Sequence, residues 1–176
     1  MKQISKYGMQ ALAYNLLHSF EEWNIEIEEG NALNDLNEMG WEDYHNFSKV
    51  RLPLSWYDDL LINKEWTTDD VLVEIARVEK DNADKLHYHK LSHALCIILG
   101  PKTGFPKCSR GTVQLHNQRY QALINKEFYF PQNCPHTFHG GIETKENPKG
   151  YLYFLSIQSP PLLTKNNDDF YLLQYK

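Results

Sequence analysis

His87-Tyr88-His89-Lys90-Leu91-Ser92-His93 holds three histidines within seven residues, and a fourth closes the turn Pro131-Gln132-Asn133-Cys134-Pro135-His136. In an extended strand alternate side chains share a face, so His87 and His89 can offer their imidazoles to one ion. His93 opens the apolar run His93-Ala94-Leu95-Cys96-Ile97-Ile98-Leu99, which ends at Gly100 and Pro101 and reads as the next strand. A ligand from that strand would close the gap left by the first two. His136 must come from a separate, much later strand, so the four together predict one metal site assembled from two hairpins.

These residues resemble the two motifs of the cupin superfamily, Gly-x5-His-x-His-x3-Glu-x6-Gly and Gly-x5-Pro-x-Gly-x2-His-x3-Asn. The first falls on residues 81–100, where His87, His89 and Gly100 match, Asp81 stands at the opening glycine and His93 at the usual glutamate. The second falls on residues 125–140, where Pro131 and His136 match, Asn125 and Asn133 stand at the two glycines and Gly140 at the closing asparagine. Asparagine is the next best residue for a left-handed turn, so both exchanges keep the backbone plausible. The exchange of glutamate for histidine changes the chemistry.

The resemblance implies an all-β fold, a cupin-type jelly-roll β-barrel over residues 71–176, with residues 1–70 as an N-terminal helical and irregular extension packed on it. It implies His87, His89, His93 and His136 as metal ligands, with His93 also the candidate catalytic group in place of the motif glutamate. The cofactor would be a divalent transition metal, iron first, though imidazole also accepts manganese, nickel, cobalt, copper and zinc. Cupins with three-histidine iron sites include dioxygenases of thiols and diketones, so the first expectation is a metal-dependent dioxygenase acting on a small molecule. Lewis-acid isomerase, lyase or cyclase chemistry and a non-enzymatic module binding a metal or small ligand are the alternatives. Cupins often pair through barrel edges, which implies a homodimer. Metal should leave below roughly pH 6, because a protonated imidazole cannot coordinate.

Composition narrows the classes further. With 176 residues, 41% hydrophobic and 13% aromatic, the chain can bury a real core. A net charge of -5 gives no basic footprint for nucleic acid. Nowhere do eighteen apolar residues run together, and polar residues interrupt the stretch after Lys2 and Lys6, so neither a membrane span nor an export signal is expected. Cys96, Cys108 and Cys134 cannot all pair with one another, and reduced thiols in a cytoplasmic protein are the expectation.

Ile4, Tyr7, Ala11, Tyr14 and Leu17, widened by Leu12, Leu16 and Phe20, predict an amphipathic helix over residues 4–23. Residues 30–64 mix turn formers with aromatics and predict short elements. Strands are predicted over residues 71–78, 112–116, 118–124 and 150–158, the last stopped by Pro160-Pro161, with Phe128-Tyr129-Phe130 leading into the Pro131 turn. Residues 100–111 read as loop and hairpin, and the tail from 162 onwards as lying over an edge. His139, three past His136, is predicted to point away from the ion, and His116 is weaker still. Cys134 is expected as a packed thiol, and Tyr88, Tyr129, Phe130 and Phe138 as core or pocket wall. Lys85, Lys90, Arg110 and Arg119 are the basic residues available to an anionic substrate.

Overall fold

The β-branched and aliphatic runs pair into two antiparallel sheets. The structure, a computed structural model, describes residues 2–22, 39–44, 46–62, 64–100, 111–143, 148–161 and 171–173. The chain opens with helix α1 (Lys6–Glu22), strands β1 (Glu42–Tyr44) and β2 (Phe47–Arg51), a 3-10 turn (Leu54–Trp56) and the short helix α2 (Asp58–Ile62). Strands β3 (Leu72–Val78), β4 (His87–Tyr88), β5 (His93–Leu99), β6 (Thr112–Leu115) and β7 (Gln118–Gln121) follow. The chain then forms β8 (Glu127–Phe130), β9 (His136–His139), β10 (Leu152–Ser159) and β11 (Tyr171–Leu172). Sheet A runs β1-β2-β3-β10-β5-β8, and sheet B runs β11-β4-β9-β6-β7.

The central strands of sheet A are buried on both faces, which is why β3, β5 and β10 read as continuous apolar runs rather than alternating ones. On one face Val73, Ile75, Leu95, Ile97, Leu155 and Ile157 pack with Met9, Leu12, Ala13 and Leu16 of α1. On the other, Ala76, Val78, Cys96, Ile98 and Phe154 meet Val113 and Phe138 of sheet B. Phe138 and Phe154 stack across the gap with centroids 4.0 Å apart. The layers are therefore helix, sheet A, sheet B. Ser5 caps α1 by accepting the Gly8 N–H at 3.1 Å, and the Ile4 N–H donates to Ser159 Oγ at 2.8 Å, which docks the helix start on the end of β10.

The first seventy residues do more than pack on the barrel. Val50 pairs with Ile75 in the β2–β3 ladder, so β1 and β2 extend sheet A itself. Tyr171 pairs with Tyr88, which places part of the tail along the β4 edge of sheet B. The hairpin expected within residues 100–111, with Cys108 and Arg110, and most of the tail lie outside the described residues.

Three turns carry the backbone that the motif comparison required. Asp81, Asn125 and Asn133 stand where the cupin motifs have glycine, and their φ angles are 62, 64 and 60°. Asp and Asn tolerate this left-handed region better than other side-chain-bearing residues. At Gly140 the constraint is space: an added Cβ would lie 1.8 Å from the Glu79 carbonyl oxygen. No asparagine fits there.

Candidate metal centre

Three of the four expected ligands converge. His87 and His136 are direct cross-strand partners where β4 meets β9, and His89 lies one residue beyond β4 with the same alternation as His87. All three are buried, and one ring nitrogen from each lies within 4.8 Å of the others. Their ring centroids are separated by 4.9 Å (His87–His89), 4.3 Å (His87–His136) and 5.3 Å (His89–His136). Against this cluster packs Phe130, whose ring centroid is 4.3 Å from that of His136.

The backbone selects the tautomer of two of the rings. His87 Nδ1 lies 2.6 Å from the Lys85 carbonyl and His136 Nδ1 lies 2.9 Å from the Cys134 carbonyl. A carbonyl only accepts, so each Nδ1 carries the proton and donates, which leaves Nε2 with its lone pair. Burial then keeps the rings neutral. It lowers the His136 pKa to about 3, against the upward pull of the Cys134 carbonyl, and holds His87 well below the ordinary value, with His136 and His89 adding to the effect. Neutral imidazoles that keep the Nε2 lone pair as the donor suit a borderline divalent ion, so the residues fit the metal that the motif implies.

His93 does not join them. Along β5 the alternate residues Leu95, Ile97 and Leu99 face the helix, while Ala94, Cys96 and Ile98 face the barrel interior. His93 shares the helix-side parity, and its Nδ1 is 2.7 Å from the hydroxyl of Tyr129, which packs against the same helix-side core. Burial lowers its pKa. The expectation of His93 as a fourth ligand is therefore corrected, and the residue expected as the candidate catalytic group stands on the helix side of sheet A. His89 directly follows β4 of sheet B and His93 opens β5 of sheet A, and residues 90–92 carry the chain between them, so strand alternation restarts and cannot be counted across the break. The inward residue at this level is Ala94.

His139 and His116 lie off the cluster. His139 has the opposite parity to His136 on β9, and His116, in the β6–β7 turn, is exposed with Nε2 3.7 Å from Cys134 Sγ. Cys96 and Cys134 are buried free thiols, and burial raises both, Cys96 to about 12. Of the basic residues, Lys85, Lys90 and Arg119 are exposed, and Lys90 Nζ sits 3.9 Å from the Tyr171 ring centroid.

One group behind the ligands escaped the motif reading. Asp84 Oδ2 lies 3.6 Å from His87 Nδ1, and Oδ1 accepts the Phe138 N–H at 2.6 Å, with Thr137 Oγ1 2.5 Å away. Burial raises this carboxyl to about 7 despite both contacts. The only sequence signal was an acid three residues before a ligand, in a connection with no periodicity. Polar residues with inward parity on apolar strands, Glu74, Ser156 and Gln158, gave a second signal that only the register resolves.

No protein-family model and no curated protein matches the sequence. Solved structures match by fold. KdgF from Halomonas sp. superposes with a TM-score of 0.50 at 11% identity, covering 73% of this chain and 93% of that chain. A protein from Planctomyces limnophilus gives 0.50 at 16% identity, covering 78% and 92%. Streptomyces PAC13 with uridine gives 0.50 at 12% identity, covering 80% and 88%.

Proposed function

The neighbours are cupin-family structures and the chain has their fold; from that premise we propose that it is a metal-dependent enzyme acting on a small molecule, a dioxygenase in the first reading. His87, His89 and His136 would hold the divalent metal, with iron the first choice. The carrying observation is the convergence of three buried histidines, two with Nδ1 tied to backbone carbonyls. Three neutral ligands leave the charge of a divalent ion uncompensated, which favours an anionic or enolisable oxygen donor as its substrate. When bound, the metal supplies Lewis acidity and, as iron, redox chemistry.

The chain's own residues orient and enclose. The Lys85 and Cys134 carbonyls and Asp84 fix two of the rings, while Phe130 and Phe138 form an apolar wall beside them. Lewis-acid isomerase, lyase or cyclase chemistry on the same three imidazoles is the second reading, since a divalent ion there would polarise a bound oxygen without changing its own oxidation state. Pairing of two copies as a homodimer and a cytoplasmic setting belong to the same proposal. Among the described residues no helix is long and apolar enough to cross a membrane.

Protein purified without a histidine tag and loaded with iron(II) is tested for oxygen uptake against panels of thiols and diketones. The expected result is metal-dependent uptake with one substrate class, lost together with bound metal in His136→Ala. Ligand affinity without turnover would instead identify a binding module, and absence of metal from folded protein would end the proposal.

A further inference from the structure

The inner face of sheet A, across the barrel from the imidazoles, carries polar groups that no ligand role uses. Phe130, Ala94, Gln158 and Leu72 form one cross-strand row over β8, β5, β10 and β3. Phe130 fixes the level of that row, because its ring packs on His136. Ala94 contributes only a methyl group, and Gln158 stands one strand further, about 5 Å along the row. Its Nε2 donates to Ser156 Oγ at 3.3 Å, two residues away on the same face. Its Oε1 is buried and has no hydrogen-bond partner among the described residues. In the next row Glu74 is already matched by Lys49, whose Nζ is 3.0 Å from the carboxylate. Gln158 Oε1 is therefore the acceptor left over, and a buried carbonyl without a donor is a state that a ligand can relieve.

We propose that Gln158 Oε1 is the second anchor for the small molecule taken by the metal site, accepting a hydrogen bond from an O–H or N–H next to the ligand's metal-binding oxygens. The inference rests on the metal reading above. It narrows the ligand class to small polar chelators that carry such a donor, hydroxy acids, amino acids and their hydroxamate analogues among them. A donor-free chelator would leave Oε1 unsatisfied.

Acetohydroxamate and N-methylacetohydroxamate test this, since they chelate through the same two oxygens and differ by one N–H. Each is titrated into cobalt(II)-loaded protein and followed by the visible spectrum of the ion. Wild type is expected to prefer acetohydroxamate by about tenfold, the range of one hydrogen bond to a buried acceptor. In Gln158→Met the preference collapses, while the affinities for cobalt and for the N-methyl probe stay unchanged. A wild type that shows no preference, or a preference that survives in Gln158→Met, overturns the assignment. Thermal melting of the metal-free proteins gives a separate check: Gln158→Met loses the long Nε2–Ser156 Oγ bond but also removes the unpartnered carbonyl, so the two offset and it should melt close to wild type. A clear drop would make Gln158 a structural residue and overturn the assignment as well. Folded wild type that takes up no cobalt would sink the metal reading first, and this inference with it.

Discussion

An imidazole binds a metal only when neutral, and at His136 burial has already imposed that state, with a pKa of about 3 against 6.5 in the open chain. Between those values the unfolded protein binds more protons than the folded one. The contribution of the ring to stability is therefore complete above pH 6.5 and is lost as pH falls towards 3. Release of metal below roughly pH 6, expected for exposed rings, moves lower. Dialysis at pH 5 followed by elemental analysis should find occupancy close to that at pH 7, and at lower pH the ion should leave together with the far-ultraviolet circular dichroism. Asp84 acts in the opposite sense: raised from 3.8 to about 7, it favours the fold at low pH and loses that contribution as pH rises through 7. Its place behind His87 predicts that Asp84→Asn weakens metal affinity by about 10- to 100-fold, read by competition with a chelator. His87, His89 and His136 were legible because two-residue alternation and the Pro131 turn encode them locally. Asp84 was not, because it reaches His87 from an irregular connection.

At the scale of elements, the turns decide whether the strands present their ligands. The left-handed backbone at Asn125 and Asn133 followed from the motif glycines whose places they take and from asparagine's tolerance of that region, and Asp81 adopts the same conformation at the opening glycine of the first motif. Gly140 was different: only the close approach of the Glu79 carbonyl explains it, and that approach joins segments far apart in sequence. Gly140→Ala should therefore cost about 2–4 kcal/mol in urea unfolding, since backbone must shift to admit the Cβ. The strands themselves were readable, β3, β5 and β10 as apolar runs, with ends displaced by up to three residues. Their assignment to sheets was not, and His93 shows the consequence. The three residues between His89 and His93 look like a hairpin break, yet they move the chain from one sheet to the other, and the expected ligand ends beside Tyr129 on the helix side.

For the molecule as a whole, the stripe of residues 4–23 predicted the helix and the resemblance to cupins implied the barrel, while the structure stacks helix, sheet A and sheet B in three layers. The participation of β1 and β2 in sheet A was hidden, because a three-residue exposed strand such as β1 leaves almost no periodic trace. All three clustered imidazoles issue from one layer, His87 and His89 at β4 and His136 at its neighbour β9, both in sheet B. An ion held there would rivet two adjacent strands and leave the seam between the sheets unstitched. Amide hydrogen exchange should accordingly slow on metal loading around β4 and β9, while the protection of β3, β5 and β10 stays where the aliphatic core already sets it.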